Sequence, residues 1–300
     1  MLALPALAGP SFAAPPRALR RRHYPAQRSW TPEPPQSPVT EGLVDVGGGD
    51  RIWYWDTGGS GLALVLLHAF TGSAACWGYQ QPVFRQAGYR VIAYSRRGHF
   101  RSEAAPGALG GTGAGDLQAL AAHLRLPSFH LLGTAGGSFV ALDYAVSHPD
   151  RLLSLTIACS TADVDEPEYR AACARLATPE FMQLPNDLKE LGPAYRAGYP
   201  EGQARWTALE ETARTRASTR QAKLNRVTWA ELERLRVPTL LISGGADNYS
   251  PPPLMEMVAR RIPDASLAII DEAGHSAFWE QPLAFNESVL GHLRRRRAAR

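Results

Sequence analysis

The 300-residue sequence predicts an α/β protein: a doubly wound, mostly parallel sheet carrying an inserted helical cap. Three observations predict it. Short apolar runs without polar interruption recur along the chain, as strands covered on both faces require. Longer helical stretches alternate with these runs, the pattern of a parallel sheet with crossover helices. The alternation stops over residues 163–235 and then resumes, which places an insertion inside one core.

Taken in order, LVDV (43–46) and RIWYWDT (51–57) flank the turn Gly47-Gly48-Gly49-Asp50 and read as an opening hairpin. LALVLLH (62–68) is a buried strand. A helical stretch near 75–87 leads to the strand RVIAYS (90–95), and a helix near 114–125 leads to FHLLG (129–133). A helix over 136–147 precedes the buried strand LLSLTIAC (152–159). Residues 163–235 hold only helix-like segments, broken at Pro179, Pro185, Gly192, Pro193 and Pro200. The rhythm returns with PTLLISG (238–244), a helix near 252–261, SLAIID (266–271) and a closing helix over 282–295. The core is therefore expected to be residues 41–162 and 236–300, with the cap at 163–235.

The net charge of +4 resides at the two ends. Residues 1–40 carry +4 and residues 294–300 carry +5, so subtracting +9 from +4 leaves −5 for residues 41–293. That distribution argues against a nucleic-acid-binding surface on the folded part. No run of 18 apolar residues occurs, so no membrane-spanning helix is expected. Cys76, Cys159 and Cys173 cannot all pair and show no metal-ligand spacing, which points to a reducing compartment, a cytoplasmic protein and no structural metal. In residues 1–40 the arginines follow the apolar stretch, the reverse of a secretory signal; the segment reads as a disordered tail or a targeting segment.

In a parallel sheet, chemistry sits at the carboxyl ends of the strands. Those ends read HAF (68–70), SRRGHFRS (95–102), GTAGGS (133–138), GGADNYSPP (244–252) and EAGHSAFWEQP (272–282). The set resembles the α/β-hydrolase family, and most closely its lidded small-molecule members such as esterases, enol-lactone hydrolases and C-C hydrolases. The resemblance spans roughly residues 42–293 and implies a nucleophile elbow followed in chain order by an acid and a histidine. It implies His275 as general base and Asp247 as its carboxylate partner, with Asp163 and Asp165 as alternative acids. It also implies an oxyanion hole from the backbone N–H groups of Phe70 and Gly136. His68 reads as a loop tie, and SRRGHFRS as a pocket wall with a weaker reading as an arginine-based anion site.

At the nucleophile position itself stands Ala135, within Gly133-Thr134-Ala135-Gly136-Gly137. A methyl group cannot attack a carbonyl. Moving the register to Ser138 would put Phe139 and Val140 where close helix–strand packing needs small side chains, and Thr134 and Cys76 are poor substitutes. Two readings follow: a hydrolase whose nucleophile has been replaced, or a site that runs without a covalent intermediate, as a His–Asp lyase, isomerase or cofactor-free oxygenase. A noncatalytic ligand binder is a third. Ala69, Phe181, Tyr195, Trp206 and Phe278 are expected to line a pocket for a small apolar or aromatic molecule, with Met182, Leu184, Tyr199 and Trp279 as further lid candidates. No cofactor is implied, there is no phosphate loop or H-E-x-x-H metal motif, and the expected assembly is a monomer or homodimer.

Overall fold

The computed structural model describes residues 18–27, 29, 31–104, 110–215 and 221–297. Its strands are β1 (Arg20–Tyr24), β2 (Thr40–Asp45), β3 (Arg51–Asp56), β4 (Ala63–Leu67), β5 (Arg90–Tyr94), β6 (Phe129–Thr134), β7 (Leu152–Ala158), β8 (Thr239–Gly244) and β9 (Ala265–Ile270). They form one nine-stranded sheet in the order β1-β9-β8-β7-β6-β4-β5-β3-β2. The β2–β3 and β3–β5 pairs are antiparallel and the rest parallel. Every residue of β4, β6, β7 and β8 is buried, which accounts for their mostly apolar or small residues; the exception, His130 of β6, has its Nδ1 2.8 Å from Ser154 Oγ of β7.

Helices α1 (Gln81–Gln86), α2 (Gly113–His123) and α3 (Gly136–Ser147) connect the first half of the sheet. Between β7 and β8 lie α4 (Pro167–Leu176), α5 (Pro179–Gln183), α6 (Asn186–Glu190), α7 (Pro193–Gly198), α8 (Pro200–Ala213) and α9 (Trp229–Arg234). The chain closes with α10 (Pro252–Ala259), α11 (Ala277–Glu280) and α12 (Pro282–Arg297). Pro179, Pro193 and Pro200, read from sequence as breaks, each open a helix at its first position. There the missing N–H would have had no intrahelical partner in any case. One apolar layer joins β-sheet residues to Leu117 and Leu120 of α2, Leu142 of α3 and Val258 of α10. The opposite layer joins the sheet to Phe84 of α1, Phe285 and Val289 of α12, and Tyr195 and Trp206 of the inserted helices.

The strand order reverses about β4, because β5 lies on one side of it and β6 on the other. The crevice between the carboxyl ends of β4 and β6 is thus the topological switch point, where a doubly wound sheet places its ligands.

The expectation of a disordered tail over residues 1–40 needs correction at residues 20–24. Residues 20–24 form β1, paired in parallel with β9 from Arg20 opposite Ser266 to Tyr24 opposite Ile270. Only Tyr24 of this edge strand is buried. Arg21 pairs with Glu256 and Arg22 with Glu287 at 2.7 Å, so the arginines that make the segment look like a tail anchor it to α10 and α12. Charged side chains of this kind also suit an exposed sheet edge. Further along, the Ser37 N–H donates to Gln81 Oε1 at 2.9 Å and Gln81 Nε2 donates back to Ser37 O at 2.7 Å. Residues 1–17 lie outside the described residues.

Candidate active site

Ala135 joins β6 to α3 with φ 47° and ψ −117°, a backbone conformation that non-glycine residues rarely adopt. Its own backbone is held on both sides. Its N–H donates to Ala158 O at 2.9 Å, and its carbonyl accepts from Ser160 Oγ at 2.9 Å and from the Ser138 N–H at 3.0 Å. The flanking glycines are required by close approach: a Cβ on Gly137 would lie 2.2 Å from Leu67 O, and one on Gly133 would lie 2.6 Å from the Gly137 carbonyl carbon. Ser138 is fully buried and its hydroxyl donates to Gly133 O at 2.7 Å, facing the strand. Thr134 is buried as well. Cys76 is buried, which pushes its thiol up and keeps it un-ionised.

His275, in the loop after β9, and Asp247, in the loop after β8, meet below the surface. His275 Nδ1 lies 2.8 Å from Asp247 Oδ2 and 3.0 Å from Oδ1. The carboxylate also accepts from the N–H groups of Tyr249 and Ser250, at 2.8 and 3.0 Å, and from the Ser250 hydroxyl at 2.7 Å. Burial alone would raise the Asp247 pKa, but the facing imidazole and these donors outweigh it and hold the group below the usual carboxylate value. Burial likewise disfavours charge on His275. Asp247, with Glu190 and Glu280 behind it, reverses that and raises the imidazole pKa. The alternative acids are occupied elsewhere: Asp163 pairs with Lys223 at 2.8 Å, and Asp165 with Arg170 at 2.8 Å and with Arg226.

Phe70 follows β4 across the crevice. A Cβ on Gly136 would lie 3.2 Å from the Phe70 nitrogen, so the two backbone amides are neighbours beside Ala135. Gly136 opens α3, where first-turn N–H groups lack intrahelical acceptors. The loop bearing Phe70 is tied down by histidines. The Arg96 N–H donates to His68 Nε2 at 3.0 Å, His68 Nδ1 lies 2.7 Å from Ala69 O, and His99 Nε2 lies 3.2 Å from Phe70 O. Burial, followed by the charge of Arg96, pushes both imidazoles down, His99 to about 4, so each stays neutral.

Residues 64–288 match the sequence profile of the Alpha/beta hydrolase family. The chain belongs to the alpha/beta hydrolase family. Among curated members of this family it is similar to a 2-hydroxy-6-oxononadienedioate/2-hydroxy-6-oxononatrienedioate hydrolase of Burkholderia vietnamiensis, 26% identical over 284 residues, covering 84% of this chain and 94% of that protein. It is similar also to 3-oxoadipate enol-lactonase 2 of Acinetobacter baylyi, 25% identical over 252 residues, covering 78% of this chain and 89% of that one. Among solved structures, a thermophilic esterase from Thermogutta terrifontis superposes with a TM-score of 0.68 at 25% identity, covering 87% of this chain and 99% of that chain. These three relatives are named as a hydrolase, an enol-lactonase and an esterase.

The expected pocket residues of this family member separate into groups. Ala69, Trp206 and Phe278 converge on one cavity of about 20 Å³, shared with Thr71, Cys76 and Trp279. Phe181 stacks edge-on against Tyr249 at 4.9 Å, and Tyr249 lies 4.6 Å from the His275 ring, so Phe181 reaches the dyad through an intermediary. Tyr195 is buried in the apolar layer beside Tyr199. Met182 and Leu184 are exposed at 46% and 41%, so these lid candidates face solvent.

Sequence reading missed two buried carboxylates. Glu190, on α6, accepts from Thr71 Oγ1 at 3.0 Å, and its carbonyl accepts from the Ser276 N–H at 3.0 Å, linking an inserted helix to both the Phe70 loop and the His275 loop. Burial raises its pKa. Glu280 accepts from the N–H groups of Gly274 and Gly192, at 3.0 and 2.7 Å, yet burial still carries its pKa up to about 8. No periodicity or motif marks either residue. The only sequence hint is that Glu280 falls within the EAGHSAFWEQP block.

Proposed function

We propose that this chain acts on a small apolar or aromatic acyl substrate, an ester, a lactone or a C–C bond beside a carbonyl, and does so without a covalent intermediate at residue 135. His275 is the base and Phe70 and Gly136 supply the oxyanion-binding N–H groups. The observation that carries this reading is the pairing of a strained elbow, kept at φ 47°, with a methyl side chain, while the His275–Asp247 pair stands complete. Strain of that kind clusters at functional sites.

With Asp247 holding Nδ1–H, Nε2 of His275 is free to accept a proton. For an ester or lactone, Nε2 takes a proton from water as the water oxygen adds to the carbonyl carbon. The developing oxyanion receives the two N–H groups, and its collapse breaks the acyl–oxygen bond. The imidazolium returns its proton to the departing oxygen, so one water is consumed and acid and alcohol are released. General-base catalysis contributes roughly 10² to 10⁴ and each oxyanion donor roughly 10² to 10³. These magnitudes suit an activated carbonyl. The same base and amides suit proton abstraction beside a carbonyl, and solvent deuterium entering the substrate without hydrolysis would select that class.

The test is turnover of p-nitrophenyl acetate by the native chain and by His275→Gln. The expected result is a loss of about 100-fold or more in the variant. Equal rates in two folded proteins would overturn the role of His275, and ligand affinity without any turnover would favour a binder.

A further inference from the structure

Arg96 and Arg97 are adjacent in sequence and opposite in circumstance. Arg97 is fully engaged: its guanidinium donates to Asp116 at 2.6 and 2.9 Å, to Asp50 at 2.5 Å and to Val46 O at 2.7 Å. Arg96 is 9% exposed, and among the described residues its Nε and Nη2 meet no acceptor. A buried cation without a counter-charge is costly to keep, and arginine does not escape that cost by losing its proton at neutral pH. Burial lowers its pKa only to about 10.

The location of this charge is specific. Its Cζ lies 5.6 Å from the centre of the Phe70 ring, and its Nη1 lies 3.6 Å from where a Cβ on Gly136 would stand. Arg96 and Gly136 share a cavity of about 40 Å³ with Phe139, Val140, Gln221 and Lys223. A water needs roughly 10 to 15 Å³ of such space, so the cavity takes two or three waters or the head of a small anion. The two acids on its wall are committed. Asp163 holds Lys223, and Asp143 accepts from the N–H groups of Leu224 and Asn225 and from Asn225 Nδ2 at 2.7 Å. The neighbouring His68 and His99 are neutral and cannot compensate the guanidinium. A second cation, Arg214, lies 5.2 Å from the centre of the same Phe70 ring.

We infer that Arg96 receives a carboxylate of the substrate beside the Phe70 and Gly136 amides, which makes the substrate class a small carboxylate-bearing acyl compound. The inference rests on the reading above for the position of the reacting carbonyl. A guanidinium offers paired N–H donors to a carboxylate, and a charge-assisted contact in a water-poor site both binds and orients. The anionic group would supply the counter-charge that Arg96 lacks among the described residues.

Binding, not turnover, tests this. The probes are benzoate and its neutral isostere benzamide, titrated calorimetrically into the native chain, Arg96→Met, Arg96→Lys and His275→Gln. The native chain is expected to prefer benzoate by about ten- to a hundredfold. Arg96→Met should abolish the preference while leaving benzamide affinity unchanged, Arg96→Lys should keep part of it, and His275→Gln should keep all of it. Equal affinities in the native chain, or no benzoate binding, would overturn the inference without needing any variant to fold. A preference lost in His275→Gln but kept in Arg96→Met would also overturn it, by assigning the anion to the imidazolium. A native chain that shows the preference but turns over no ester would count against the proposed reaction and leave Arg96 in place.

Discussion

Restoring a hydroxyl at the elbow is the sharpest perturbation of this site. Ala135→Ser adds one oxygen to a Cβ whose backbone already stands at φ 47° and ψ −117°, so it asks for no new backbone strain. The residue is 8% exposed, and its backbone hydrogen bonds to Ala158, Ser160 and Ser138 involve no side-chain atom of residue 135. In the proposed site the other parts of a nucleophilic apparatus would be the His275–Asp247 pair, in contact at 2.8 Å, and the neighbouring Phe70 and Gly136 amides. In a serine-protease triad, removal of the serine alone costs roughly 10⁶ in kcat, or about 8 kcal/mol of barrier. The reverse change here is expected to raise turnover of p-nitrophenyl esters by roughly 10³ to 10⁶, the lower end reflecting a pocket shaped for another substrate. Stopped-flow release of p-nitrophenolate should show a burst of one equivalent per site, and mass spectrometry of the quenched protein should find the acyl group on residue 135. A folded variant with neither burst nor adduct would refute the reasoning, since it would mean that His275 Nε2 and the amide pair do not face residue 135.

Two further outcomes follow from the packing and the buried charges. Gly137→Ala places a Cβ 2.2 Å from Leu67 O and 2.7 Å from His68 O, both backbone atoms that cannot swing aside; it should lower stability by about 3 kcal/mol, and an unchanged urea midpoint would show that α3 moves freely against β4. The raised pKa of Glu280, about 8, means that the folded chain holds a proton that the unfolded chain releases near the ordinary value of 4.5. Stability should therefore fall as pH rises from about 4.5 to about 8, by at most about 1.4 kcal/mol per pH unit. His275, whose folded pKa is raised, adds to the same trend above 6.5; Asp247, whose pKa is lowered, contributes stability that is lost only as pH falls below the usual carboxylate range. Melting temperatures across this range should be flatter for Glu280→Gln, and an identical slope would exclude Glu280 as its source. For the same reason any base-catalysed activity should rise with pH through a midpoint above 6.5, and Asp247→Asn should bring that midpoint down.

Much of the candidate site was legible because its parts are local. Each of Phe70, Ala135, Asp247 and His275 follows a strand within a few residues, and the small residues Gly133 and Gly137 announce the tight crossing that the structure realises. Edge strand β1 was not legible: RRRHY has one buried residue, so no alternation of apolar side chains marks it, and its stability comes from β9 and from Glu256 and Glu287, more than 230 residues away in sequence. Met182 and Leu184 carry apolar side chains with no neighbouring signal to say which way the short helix α5 turns them.

The sequence by itself determined the layered sheet, the inserted helices, the family and the absence of a hydroxyl at position 135, because strand burial, helix starts and the elbow each depend on residues close together in the chain. Tertiary structure alone decided that Glu190 ties an inserted helix to the Phe70 and His275 loops, that β1 joins the sheet beside β9, and that Arg97 meets two carboxylates while Arg96 Nε and Nη2 meet no acceptor among the described residues. Burial and counter-charge are properties of what surrounds a side chain, and for two adjacent arginines the chain order is the same while the surroundings differ.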